Sequence, residues 1–399
     1  MNDSGPAPSP IVIAGAGIGG LTAALTLRQA GHDVVLMDKA RELAEVGAGL
    51  QLSPNACTVL NQLGLLDDVV ELGYAPGNLR IWSGKSGKQI GQVRLGDFVR
   101  GRHGAPFVVI HRADLQQALL KKVKDTPGIS LQLGTELTNA KTGQSGNLVC
   151  TYQSLDQIGT LTCKALIGAD GVWSKTRRLI PNHKNAQFSG HVAYRSTIPI
   201  EKAPKRWQQD SGLWLHKDSH LVHYPVKSGK ELNIVALATE DWQDETWSAP
   251  VSVELLLRRF HDWPTESRNV LHTPDSWLKW ALCAVDASGP WTHGNIALLG
   301  DAAHAMLPYM AQGAAMAIED AAVLAAHLPA DVDNIPAALR AYERIRKPRV
   351  VRIQNTGFRN AKIFHMSGVF AAARDMVLKS SKPENLTARF DYIYSWSPA

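Results

Sequence analysis

The sequence predicts an α/β protein in which a Rossmann-like sheet is interrupted by a second, antiparallel β-sheet and followed by helices. Three observations carry this. A glycine turn, Gly15-Ala-Gly17-Ile-Gly19-Gly20, joins an apolar run to a helix-periodic segment, the order of a dinucleotide-binding βαβ unit. Two further apolar runs enter Gly168-Ala-Asp170-Gly171 and Gly300-Asp301-Ala-Ala-His304. Between these lie short β-rich runs broken by Gly, Pro, Lys and Asp, the texture of an antiparallel sheet.

Residues 1–10, rich in Pro, Ser and Asp, read as a flexible tail. Ile11 to Ala14 is a short apolar strand. Leu21, Ala24, Leu25 and Arg28 then keep helical spacing up to Gly31, a helix stop, before the apolar run Val34 to Met37 ends on Asp38. Arg80 to about Gly101 and His191 to Leu237 are β-rich, whereas Asp114 to Val123 looks helical and Ala165 to Ile167 strand-like. Ile296 to Leu299 is a further strand. A Pro308-containing loop leads to an Ala-rich helix from about Ala314 to Leu328, with Glu319 and Asp320 off its apolar stripe. A last helical region runs from Ile335 to about Ser380 and is interrupted at Pro348. The expected division is a discontinuous nucleotide-binding domain (11–79, 105–180, 287–334), a β-sheet domain for substrate (80–104, 181–286) and a C-terminal helical region (335–399).

The 399 residues suit two or three structural units. A hydrophobic share of 45% with 20% charged residues excludes disorder and collagen-like repeats. The charge of +6 comes without basic blocks, which fits an anionic ligand and argues against a nucleic-acid partner. Cys57, Cys150, Cys163 and Cys283 are scattered and form no CxxC pair, so no metal site and no redox dithiol are expected. No basic stretch leads an apolar run at the start, and no apolar run approaches the roughly 18 residues of a membrane span. The expected location is the cytoplasm.

In a GxGxxG turn the first Gly permits the bend, the second admits a pyrophosphate and the third lets helix and strand pack closely. Gly15, Gly17 and Gly20 occupy those places, and Asp38 stands where a carboxylate accepts hydrogen bonds from ribose hydroxyls. The plain alternative is a glycine turn with no ligand. Along the run His220-Leu-Val-His-Tyr-Pro-Val226, alternate residues share a face, so His220 and Tyr224 point one way and His223 the other. Two polar groups about 13 Å apart on an apolar face suggest a ligand cavity.

The glycine turn, the segment from Gly168 to Arg177 and the segment from Gly300 to Gly313 follow in one order from about Ile11 to Arg349. In this the chain resembles the single-component FAD-dependent aromatic hydroxylases, the group of 4-hydroxybenzoate and salicylate hydroxylases. The resemblance implies FAD as cofactor, with Gly15, Gly17 and Gly20 at the pyrophosphate, Asp38 at the adenosine ribose, and Ile18, Gly19 and Lys39 among the cofactor contacts. It further implies cofactor contacts at Arg41, Gly49, Gln51, Arg112, Asp170 and Gly171, and at Asp301 for the ribityl chain. Pro308, Gln312, Gly313 and Ala314 match the segment beside the isoalloxazine. Taken singly, an Arg is more often a surface charge and Asp-Gly an ordinary turn.

The resemblance also implies substrate contacts at Gln51, His220, Tyr224, Pro308 and Tyr309, with His220 as phenol base and Tyr224 as orienting group. Arg80 and Arg195 are both candidates to anchor a carboxylate. The implied reaction uses NADH or NADPH as a transient reductant and O2. A flavin hydroperoxide hydroxylates a small hydroxylated aromatic carboxylate, in a monomer or homodimer. Salicylate-type chemistry leads; the alternatives are 3-hydroxybenzoate 6-hydroxylation, 6-hydroxynicotinate 3-monooxygenation or a larger aromatic substrate. Enzymes for 6-hydroxynicotinate can have His where Gln51 and Tyr309 stand, and those for 3-hydroxybenzoate Gln where Pro308 stands. An NAD-dependent dehydrogenase and a non-catalytic flavin-binding regulator are the readings from other classes.

Overall fold

The computed structural model describes residues 9–43, 49–143, 146–154, 157–242, 248–330, 332 and 334–398. Most of the expected tail, residues 1–8, lies outside them. The first strand, Ile11–Ala14, is fully apolar because it is central: it pairs in parallel with Val34–Asp38 on one side and Ala165–Gly168 on the other. Ile129–Leu133 extends the sheet beyond Val34–Asp38, and Ile296–Leu298 extends it beyond Ala165–Gly168. The glycine turn and the two later motifs therefore leave the carboxyl ends of adjacent strands, where open α/β sheets bind ligands. The helices Ile18–Gln29 and Gly313–His327 lie against each other, and Thr26 Oγ1 donates to Ala321 O across their contact at 3.1 Å. This close approach uses small residues: a Cβ built on Gly19 would stand 3.2 Å from the Ala317 Cβ.

The second sheet has eight strands, in the order 248–251, 277–284, 187–199, 231–239, 219–226, 211–216, 78–83, 89–94. It is not wholly antiparallel as the sequence suggested. Asn78–Ser83 joins Ser211–His216 in parallel, because the chain reaches this edge from the nucleotide-binding part and not by a hairpin. The β-rich stretch also ends early, since Gly96–His103 is a helix. One face of this sheet buries a tryptophan-rich core with Trp82, Trp207, Trp214 and Trp277. The opposite face turns toward the parallel sheet.

The C-terminal region departs from expectation at Pro348. The helix Ile335–Phe364 runs through it for 30 residues. Pro removes one hydrogen bond, but Arg346 and Val350 on either side are buried against the core and hold the helix in line. Cys150 and Cys163, far from any CxxC spacing, meet across paired strands with Sγ atoms 3.5 Å apart. Among the described residues no cluster of His, Cys, Asp or Glu is placed to hold a metal. No helix among them is long and apolar enough to cross a membrane.

Candidate active site

A continuous cavity of about 320 Å³ runs between the two sheets. At one end are Gly17, Ile18 and Gly19, with Arg112, Gly171, Gly300 and Asp301; at the other are Gln51, Arg195, His220 and Tyr224. Pro308, Ala311, Gly313 and Ala314 lie along the wall between.

The first end has the construction of a pyrophosphate cradle. Gly15 has φ +104°, and a Cβ there would stand 2.4 Å from Ala169 O. A Cβ on Gly20 would stand 1.8 Å from Gly15 O, so both glycines let backbone meet backbone. Cβ atoms on Gly17 and Gly171, by contrast, meet nothing within 4 Å. Those two positions leave open space where a ligand approaches. The helices Ile18–Gln29 and Gly313–His327 both begin at the cavity with no side-chain cap, so their N–H groups and positive dipole ends are available to anionic groups. Arg112, at the start of the helix Arg112–Lys124, adds a cation. These residues fit FAD.

Several expected cofactor residues serve this cradle without lining it. Asp38 accepts hydrogen bonds from Ala16 N at 2.7 Å and from Ala40 N at 2.8 Å, fixing the glycine turn against its neighbouring strand. The Asp170 carboxylate accepts from Ser174 Oγ, Lys175 N and both Thr176 donors, so it shapes its own turn. Arg177 then donates to Ala302 O at 3.0 Å and clamps this turn to the Gly300 segment. Gln312, 3% exposed, donates to Ser53 Oγ at 2.9 Å. Lys39 and Arg41 are exposed and off the cavity, and residues 44–48 beside them lie outside the described residues.

Glu319 and Asp320, expected off the apolar stripe of the helix, are fully buried. Arg346 reaches both, at 2.5 Å and 2.7 Å, and Arg349 and Asn55 also bind Glu319. Burial alone would raise the Asp320 pKa; His304, Arg346 and the Gly300 N–H outweigh it and hold it at about 2. This network fixes the beginning of the Gly313–His327 helix and the Gly300 turn against the C-terminal helix. Ala311, at the same corner, has φ +51°, a left-handed conformation rarely adopted by a residue with a Cβ.

At the other end of the cavity, strand alternation works as expected. His220, Val222 and Tyr224 face the cavity with Val235 and Leu237 of the next strand, while His223 stacks on Trp207 with centroids 4.0 Å apart. Tyr224 packs where a Cβ on Gly49 would stand, 2.4 Å from its ring. Arg195 lines the cavity, but Arg80 does not: it is paired with Asp210 at 2.6 Å. Tyr309 sits behind His220, with centroids 5.0 Å apart, and not on the cavity wall. Two further histidines complete this corner. His365 Nε2 is 2.9 Å from His220 Nδ1, and the His191 ring is 5.7 Å from that of His365. His191 shares a strand face with Arg195 and was legible by the same alternation; no local pattern marks His365. Burial, reinforced by His365 and His191, lowers the His220 pKa well below its ordinary value, so its ring is neutral.

A model of the FAD binding domain family matches residues 9–356. The chain is 35% identical over 388 residues to 3-hydroxybenzoate 6-hydroxylase 1 of Aquipseudomonas alcaligenes, covering 96% of this chain and 97% of that one. It is 33% identical over 400 residues to 3-hydroxybenzoate 6-hydroxylase of Polaromonas naphthalenivorans, covering 100% and 98%. A salicylate hydroxylase substrate complex shares the fold at a TM-score of 0.81 and 24% identity, covering 98% of this chain and 95% of that one. The cradle and the whole-length matches lead to one family: the chain belongs to the FAD binding domain family, and it is a single-component FAD-dependent aromatic hydroxylase.

Proposed function

We propose that this enzyme hydroxylates 3-hydroxybenzoate at carbon 6, para to the phenol, using NAD(P)H and O2. The reading reverses the order suggested by sequence alone, which put salicylate first. The observation that carries it is the full-length match to relatives that are 3-hydroxybenzoate 6-hydroxylases, and the polar groups on the cavity wall fit such a ring. By strand register His220 lies level with Leu237 and Ala193, whereas Arg195 lies level with Val235 and Val222. Their Cα atoms are thus two strands and two residues apart, about 12 Å. An Arg and a His reaching inward from that separation can hold the carboxylate and the phenol of one small ring.

Bound FAD, once reduced, supplies the activated oxygen. The chain's own residues prepare the ring. Neutral His220 accepts the phenol proton, and the oxyanion so formed pushes electron density to the para carbon. Arg195 pairs with the carboxylate, and Tyr224 orients the ring from the far end of the strand. Val222, Val235, Leu237 and Met306 exclude water around it. Asp38 and Asp170 act on the cofactor through the backbone they hold, and Gln312 through its side-chain bond to Ser53.

Pro308 keeps salicylate as a second reading, because the Gln found there in some 3-hydroxybenzoate enzymes is missing. The two are separated by anaerobic reduction of the flavin by NADH with each acid present, followed by product analysis under air. Accelerated reduction with 3-hydroxybenzoate and formation of 2,5-dihydroxybenzoate are expected. Acceleration by salicylate alone, with catechol as product, would replace the reading. His220→Ala is expected to slow hydroxylation about 100-fold or more while FAD stays bound; unchanged product formation removes the base role.

A further inference from the structure

His220 is only 2% exposed, so a proton taken from a bound phenol has no direct route from it to water. Its Nδ1 is occupied by Nε2 of His365 at 2.9 Å, which leaves Nε2 as the ring nitrogen for the substrate. His365 follows the last residue of the Ile335–Phe364 helix and is half-buried, between the cavity corner and solvent. A hydrogen bond between two imidazole nitrogens needs one N–H and one lone pair. We propose that His220 and His365 form a two-imidazole proton wire from the buried phenol to solvent, with His365 as a positioning residue for the His220 base; this rests on the proposed placing of a phenol at His220.

The wire balances as follows. At rest His220 carries its proton on Nδ1, donating to His365 Nε2, and His365 carries its own on Nδ1. The phenol O–H bond breaks as a proton joins His220 Nε2. The Nδ1 proton of His220 passes to His365 Nε2, and the Nδ1 proton of His365 passes to water. When the ring oxygen regains a proton in the product, the same transfers run backwards and restore both tautomers. No oxidant or co-reactant is consumed.

The surroundings suit a conduit and not a proton store. His220 and His365 are faced by His191, Tyr309 and Phe364, with Arg374 near His365. None of these is an anion that would trap a proton, and Asp375, the nearest carboxylate along the chain, is paired with Arg374 at 2.8 Å. Burial, then His191 and Arg374, lowers the His365 pKa to about 4. Both rings are therefore neutral near pH 7 and keep a lone pair to accept with. Arg374 also donates to Ile363 O at 3.0 Å and Phe364 O at 2.9 Å, which fixes the helix end that presents His365.

The test uses the FAD-loaded enzyme and two phenols whose phenolates absorb visible light, 3-hydroxy-4-nitrobenzoate and 5-nitrosalicylate. Phenolate formation is followed by stopped flow after mixing, in wild type, His365→Ala and His365→Gln. Gln can accept from Nδ1 of His220 and so preserve its tautomer, but it cannot pass a proton on. Both variants are expected to bind the probe within about twofold of wild type and to form phenolate about tenfold or more slowly. Added imidazole is expected to restore the rate of His365→Ala. A wild-type rate in His365→Gln overturns the wire, as does slowing matched by lost affinity in both variants without rescue. If wild type binds 5-nitrosalicylate alone, the 3-hydroxybenzoate reading falls and the wire is measured with that probe. No phenolate from either probe in wild type overturns both.

Discussion

Gly17 and Gly20 belong to one turn, yet a single methyl group has opposite consequences at the two. Gly20→Ala drives a Cβ into Gly15 O and is expected to leave little folded protein on expression. Gly17→Ala meets no protein atom, so its thermal unfolding without flavin is expected to match wild type while FAD affinity falls about tenfold or more. Equal FAD affinity, measured by flavin fluorescence, would show that no phosphate approaches there. The places of the glycines, His220 and Tyr224 were legible because they follow from local geometry: a turn that excludes Cβ atoms, and a strand with period two. The work of Asp170 and Gln312 was not, since a motif names a residue without saying where its side chain points. His365 was invisible for another reason. It meets His220 across 145 positions of sequence, and nothing near it repeats or alternates.

The helix Gly313–His327 shows how far periodicity reaches. Its apolar stripe was readable, but the burial of Glu319 and Asp320 depends on Arg346 and Arg349, which lie on the next helix. Breaking such a pair by removing one partner costs about 3–5 kcal/mol. Arg346→Ala is accordingly expected to lower the unfolding midpoint and to weaken FAD retention, because Asp320 also holds Gly300 N at 2.9 Å. A variant that unfolds like wild type would show that water has replaced the guanidinium. The same carboxylate sets a pH dependence. Its folded pKa, near 2, lies below the ordinary 3.8. Its contribution, on the order of 2 kcal/mol, is therefore present above about pH 4 and lost as pH falls toward 2. Denaturant titrations of wild type and Asp320→Asn are expected to converge over that interval; parallel curves would assign the acid loss to other groups.

At the scale of the molecule, the cavity is assembled from the ends of the parallel sheet, one face of the eight-stranded sheet and the corner behind Pro308. The order of apolar runs and motifs made the first two legible. The strand order of the large sheet, with its one parallel pair, was not, because pairing between distant strands leaves no periodic trace. A chain ending at residue 334 keeps every cofactor motif but loses Arg346, Arg349 and His365. It is expected to be isolated without flavin, and a yellow, FAD-loaded product of that length would show that the cradle holds its cofactor without the C-terminal helix. The buried ion network carries a further consequence for how the protein is made. Synthesis runs from the N-terminus, so the glycine turn leaves the ribosome long before the helix that stabilises its opposite wall. If the chain ending at residue 334 fails to hold flavin, flavin capture is a late event in the life of the nascent chain, and translation pausing before Arg346 leaves a half-built cradle waiting for its other side.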